Sequence, residues 1–162
     1  MAAAPGTDPV TDPTGDIAEA LRELQRLRAS RKVHTALVDA TGVDLSQQAV
    51  QVLMALDGTL PVAQLAHAAR MDVGAVSRQL RTLEAGGYVA KRPSPDNASV
   101  VLVSRTAAGR TVAGRIAEVR NGHLVDALAD WNPRDRKTLA TLLARLVDDL
   151  QATPFGAAAP AA

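Results

Sequence analysis

Residues 61–92, PVAQLAHAARMDVGAVSRQLRTLEAGGYVAKR, set the tightest limit on how this chain folds. Two short helical patterns meet at a tight break, Arg70–Met71–Asp72, and the second ends at Gly86–Gly87 before a basic strand that opens with Tyr88. In the second pattern Val76, Leu80 and Leu83 stand at i, i+4 and i+7, which gathers them on one buried face. At about 100° per residue, Gly74, Arg78 and Arg81 point the other way, flanked by Ala75, Ser77 and Thr82. Asp72 stands where its carboxylate can accept a free backbone N–H of the first turn. Two helices followed by a hairpin offer one rigid helix to a DNA major groove and a wing to the backbone beside it.

The flanking segments read as helices. An apolar stripe through Ile17, Leu21, Leu24 and Leu27, extended by Val33, Leu37 and Val38, predicts one long helix from Asp16 to Ala40. Ser46 is expected to cap a helix through Leu56, and Pro61 to begin the next, which runs to Ala69. Tyr88–Arg92 and Ser99–Ser104 read as strands around the turn residues Pro93–Asn97, with the cations Lys91, Arg92 and Arg105 at the hairpin base. Thr106 should cap a helix reaching Asp130, with Gly109, Gly114 and Gly122 as soft points along it. Asn132–Pro133 should start a last helix with the stripe Leu139, Leu142, Leu143, Leu146 and Leu150. Tyr88 is expected to pack at the wing base and Trp131 at a helix junction. Residues 1–14 and 153–162, rich in Pro, Gly, Ala and Thr, are expected to be disordered tails.

Composition narrows the classes. Apolar residues make up 47% of the chain and aromatics only 2%, so the core must be Leu, Val and Ala, an alphabet that favours helices. The chain has no cysteine, which excludes disulfides, thiolate zinc sites and a thiol redox switch. The start carries no secretory pattern and no stretch is apolar for long enough to span a membrane, so a cytoplasmic protein is expected. Charge is unevenly placed: residues 61–115 hold eight of the 18 Lys and Arg but three of the 17 Asp and Glu. A basic middle between acidic flanks suggests a localised surface for a polyanion.

With these elements in order, the chain resembles the MarR family of bacterial transcription regulators over residues 16–152. VAQLAHAARMDVGAVSRQLRTLEAGGYVAKR carries the helix-turn-helix entering the wing, SRTAAGR the strand-to-helix junction, and WNPRDRKTLATLLARLVDDL the closing helix. The resemblance implies a mainly α fold with a small β-hairpin wing: helix-turn-helix at 61–86, wing at 87–105, dimerisation helices at 15–40 and 106–152. It implies a homodimer on a pseudo-palindromic operator in double-stranded DNA, acting as a small-ligand-responsive repressor. By motif position, Ser77, Arg78 and Arg81 would read bases or phosphates, with Gly74, Ala75 and Thr82 beside them. Lys91, Arg92, Arg105 and the wing residues Asp96 and Asn97 would complete the DNA surface. The family's wing carries an Asp followed by two arginines. Here Asp96–Asn97–Ala98–Ser99 keeps the acid and lacks both, which shifts the expected reading toward the recognition helix.

His34, His67 and His123 are too scattered for a metal site, and no cofactor is expected. A small aromatic or phenolic effector would, by the resemblance, meet Arg31 or His34. No nucleophile-elbow, Walker, dinucleotide or metalloprotease pattern appears, so an enzyme is not expected. The competing reading is a winged-helix protein-interaction module without specific DNA binding, favoured only by the arginine-poor wing.

Overall fold

The computed structural model describes residues 12–154, so most of the two expected tails, 1–11 and 155–162, lies outside it. The order of elements is α1 (Thr14–Ala29), α2 (Arg31–Thr41), α3 (Gln47–Ala55), β1 (Thr59–Pro61), α4 (Val62–Ala69), α5 (Val73–Ala85), β2 (Val89–Pro93), β3 (Val101–Arg105), α6 (Ala107–Ala127) and α7 (Pro133–Ala152). The chain divides into two compact units, Met1–Val119 and Arg120–Ala162.

In the first unit α3, α4 and α5 enclose an aliphatic core that includes Val52, Leu53, Leu56, Leu65, Val76, Leu80 and Leu83. Val103 of β3 and Ile116 of α6 close it. Capping matches the local chemistry. Ser46 Oγ accepts the N–H of Ala49 at 3.1 Å, and Asp72 Oδ1 accepts that of Ala75 at 2.7 Å. The turn between α4 and α5 is made by Arg70, in the left-handed region at φ 51°, while the N–H of Met71 donates to Ala66 O at 3.0 Å.

The expected helix from Asp16 to Ala40 is two helices. Ser30 is extended, at φ −63° and ψ 133°, and separates α1 from α2. Arg28 to Lys32 contains no large apolar residue, so packing does not hold the helix through a serine that prefers helix ends. Pro61 does not begin the next helix but ends β1, which pairs with β3 in a sheet of order β1-β3-β2. Proline is tolerated there because β1 is an edge strand. The hairpin strands sit one or two residues later than expected, in the register Val89↔Arg105 to Pro93↔Val101.

Gly109 is no soft point. A Cβ built on it would lie 1.9 Å from Tyr88 O, because the first turn of α6 rests against the main chain leaving α5. Tyr88 itself is half-buried against the core. Thr106, between the two, holds the junction. Its N–H donates to Tyr88 O at 3.0 Å, its hydroxyl donates to Gly87 O at 2.6 Å, and that same hydroxyl oxygen accepts the N–H of Gly109 at 3.0 Å.

In the second unit, Asn132 Oδ1 caps α7 by accepting the N–H of Asp135 at 2.8 Å. Arg136 ties the preceding turn, donating to Trp131 O at 3.1 Å and Ala129 O at 2.9 Å. Trp131 does not pack inward; it is 45% exposed. No residue of α7 is buried, and Leu142, Leu143, Val147 and Leu150 all stand open. In α1, likewise without a buried residue, Ile17, Leu24 and Leu27 are open.

Gly109→Ala should therefore destabilise the protein by about 1–3 kcal/mol, because a methyl group driven into a carbonyl forces α6 off the wing base. Gly114→Ala, where a Cβ meets nothing within 4 Å, should stabilise it by about 0.5–1 kcal/mol. Urea unfolding of the two variants beside the wild type checks both signs.

Candidate nucleic-acid interface

The exposed face of α5 follows from its buried one. Val76, Leu80 and Leu83 sit at 0%, 1% and 0% exposure, which rotates Arg78, Arg81 and Thr82 to solvent. Gly74 is exposed at the leading end, and Ser77 is half-buried. Ala75 turns inward at 7% exposure, so it lines the core and not the open face. A Cβ on Gly74 would come 3.2 Å from Asp72 Oδ1 and 3.7 Å from Arg78 Nη1. The Arg78 guanidinium thus folds back toward the helix start, the direction long side chains take on a helix.

At the wing base the cations divide. Lys91 Nζ binds Glu84 Oε2 at 2.7 Å, an ion pair that joins β2 to the end of α5 and offsets the lysine charge. Arg105 turns to the helical core, its Nε donating to Leu53 O at 2.9 Å and its Nη2 to Met54 O at 3.1 Å. Those are carbonyls of the last turn of α3, which have no partner within their own helix, so Arg105 acts as a cap carrying favourable charge. Arg92 is exposed on β2. Asp96 and Asn97 are exposed at the wing tip, where Asn97 Oδ1 accepts the N–H of Ser99 at 3.0 Å and Ser94 N–H donates to Val100 O at 2.8 Å. Asp96 is the only charged residue between Arg92 and Arg105.

Residue-by-residue reading of the sequence passed over the polar ties that set the angle of α5. Gln79 Nε2 donates to Gln48 Oε1 at 3.0 Å, and Ser46 Oγ donates to Gln79 Oε1 at 3.2 Å, fastening α5 to the start of α3. Gln51 Nε2 donates to Ala69 O at 2.7 Å and steadies the end of α4. These partners lie 18 to 33 residues apart in the chain, beyond any periodicity.

Arg31 is exposed in the first turn of α2 and His34 half-buried one turn on; a cleft of about 400 Å³ lies elsewhere, with Leu56, Thr59, Ser104, Arg105 and Arg110 in its lining. Among the described residues no cluster of His, Asp or Glu is placed to hold a metal ion, and no helix is long and apolar enough to cross a membrane.

A short helix laid on two others, with its cations outward and a three-stranded wing behind it, is the arrangement found in known proteins. Residues 45–101 match the model of the MarR family. That match covers the helix-turn-helix and the start of the wing, about a third of the chain. It is 26% identical over 128 residues to the uncharacterised HTH-type transcriptional regulator YdgJ of Bacillus subtilis, a stretch covering 78% of each protein. The crystal structure of a probable transcriptional regulator from Pseudomonas aeruginosa is 28% identical, with a TM-score of 0.61 over 80% of this chain and 96% of that one. The fold is also that of Streptococcus pneumoniae FabT, solved in complex with DNA, at 17% identity and a TM-score of 0.68 over 86% of this chain and 98% of FabT.

Arg78→Ala should cost about 1–3 kcal/mol of operator affinity if the guanidinium makes a bidentate base contact, while leaving stability within about 0.5 kcal/mol. Arg105→Ala should instead lower stability by about 1–3 kcal/mol, since two helix-end carbonyls lose their donors. Gel-shift titration and thermal unfolding of both variants separate the two roles.

Proposed function

We propose that this protein is a MarR-type regulator that binds a pseudo-palindromic operator as a homodimer and represses transcription, with each α5 in one major groove. The observation that carries the reading is the exposed Arg78–Arg81 face on a helix fixed from behind by its apolar residues and by Gln79. Arg92 extends the cationic surface onto the wing base, whereas Lys91 is paired with Glu84 and Arg105 with α3.

The open apolar faces of α1 and α7 support a dimer. A helix with leucines at 139, 142, 143, 146 and 150 and no buried residue has a stripe whose natural cover is another chain. Two-fold symmetry then places two recognition helices on half-sites about one helical turn of DNA apart. A small aromatic effector that binds one dimer arrangement better than the other would release DNA by that difference in affinity, with Arg31 and His34 as the first residues to test.

Two outcomes check this function. Affinity for the DNA upstream of the protein's own gene should fall on the order of 10²-fold between 50 and 200 mM salt, from about four phosphate contacts made by a dimer. No binding even at low salt would favour a protein-interaction module instead. Leu142→Glu combined with Leu150→Glu should convert the dimer to a monomer in sedimentation velocity while α3–α5 keep their core, and operator binding should be lost with it.

A further inference from the structure

Around the entry to α5, every apolar residue but one has a structural task. Met71, just before the Asp72 cap, packs against the core, and Val76, four residues after the cap, is fully buried. The two occupy the positions at which apolar residues staple a helix start. Ala75 is buried as well. Val73, the first residue of the helix, is 50% exposed. Apart from Val101 on the wing, the other large apolar residues left this open among those described lie on α1, α2, α6 or α7 or in the turn at Trp131.

Local folding does not ask for valine at this point. The first turn of a helix favours acidic residues, proline or strong helix formers, and a β-branched side chain loses rotamer freedom there. The first turn of α5 contains no acid. The next residue is Gly74, beside which the Arg78 guanidinium folds back. Val73 thus stands open at the leading end of the helix, with Gly74 and Arg78 about 100° and 140° round the helix from it.

Residues at the start of a recognition helix are those that meet base edges. In the major groove the apolar feature of a base edge is the C5-methyl group of thymine, and the bidentate partner of arginine is guanine. We propose that Val73 packs against the C5-methyl group of one thymine in each half-site. The proposal rests on the DNA-binding reading above and adds a specificity-determining residue to it.

The test uses a duplex selected by the full-length protein from a randomised pool, resynthesised with each symmetry-related pair of thymines replaced by deoxyuridine, which lacks only the methyl group. One pair should weaken wild-type binding by about fourfold per methyl lost, the worth of one buried methyl group. Val73→Ala should bind the parent duplex more weakly by a comparable factor and be indifferent to that same replacement, with its unfolding temperature unchanged. The assignment is overturned if the deoxyuridine penalty is equal in wild type and Val73→Ala, or if no replacement affects the wild type. Failure to select any duplex would sink the DNA-binding reading itself.

Discussion

The recognition helix and the wing keep one relative geometry because the start of α6 is fastened to the main chain that leaves α5. Thr106 makes three hydrogen bonds there: to Tyr88 O through its N–H, to Gly87 O through its hydroxyl, and from the Gly109 N–H to that hydroxyl. Gly109 permits the approach, since any Cβ would strike the Tyr88 carbonyl. A threonine and a glycine three residues apart thus close the loop formed by α5, β2 and β3. Each such hydrogen bond contributes on the order of 1 kcal/mol net, so what the cluster supplies is chiefly direction.

A second set of ties makes α3 the frame for everything around it. Gln48 and Ser46 at its start hold Gln79 of α5, Gln51 in its middle holds the end of α4, and its last carbonyls receive Arg105 from β3. Gln47 Nε2 also donates to Arg28 O in α1, at 3.2 Å. The apolar face of α3 buries Ala49, Val50, Val52 and Leu53, but apolar packing is tolerant of small rotations. The directed bonds are what select one orientation of α5.

Much of this was legible because it is local. Caps at Ser46, Asp72, Thr106 and Asn132 each act on an N–H three residues away, and the stripe of α5 needs only its own spacing. What escaped the sequence depends on distant partners. β1 is three residues long and exists because β3 offers it a ladder. Arg105 resembles any basic residue at a hairpin base until the end of α3, more than 50 residues earlier, is placed beside it. Ala75 belongs by angle to the border of the outward face, and its burial is decided by how closely the neighbouring helices approach. The break at Ser30 was missed because a stripe that resumes after five residues looks continuous on a helical wheel.

The fate of each cation bears on the proposed DNA interface. Glu84 offsets Lys91, α3 takes up Arg105, and the stretch from Pro93 to Ser104 carries a single charge, which is negative. A wing of this composition gains little from the negative potential of a narrow minor groove, which draws in arginine. In the proposed interface the exposed cations are Arg78, Arg81 and Arg92, around a helix whose leading end is small and apolar. Fewer phosphate contacts lower the affinity for every sequence alike, whereas base-edge contacts are lost only on the wrong sequence. In the proposed interface an arginine-poor wing therefore trades total affinity for a larger ratio of specific to non-specific binding, provided α5 is held rigidly enough to read bases. The polar ties of Gln79 and the Thr106–Gly109 junction supply that rigidity.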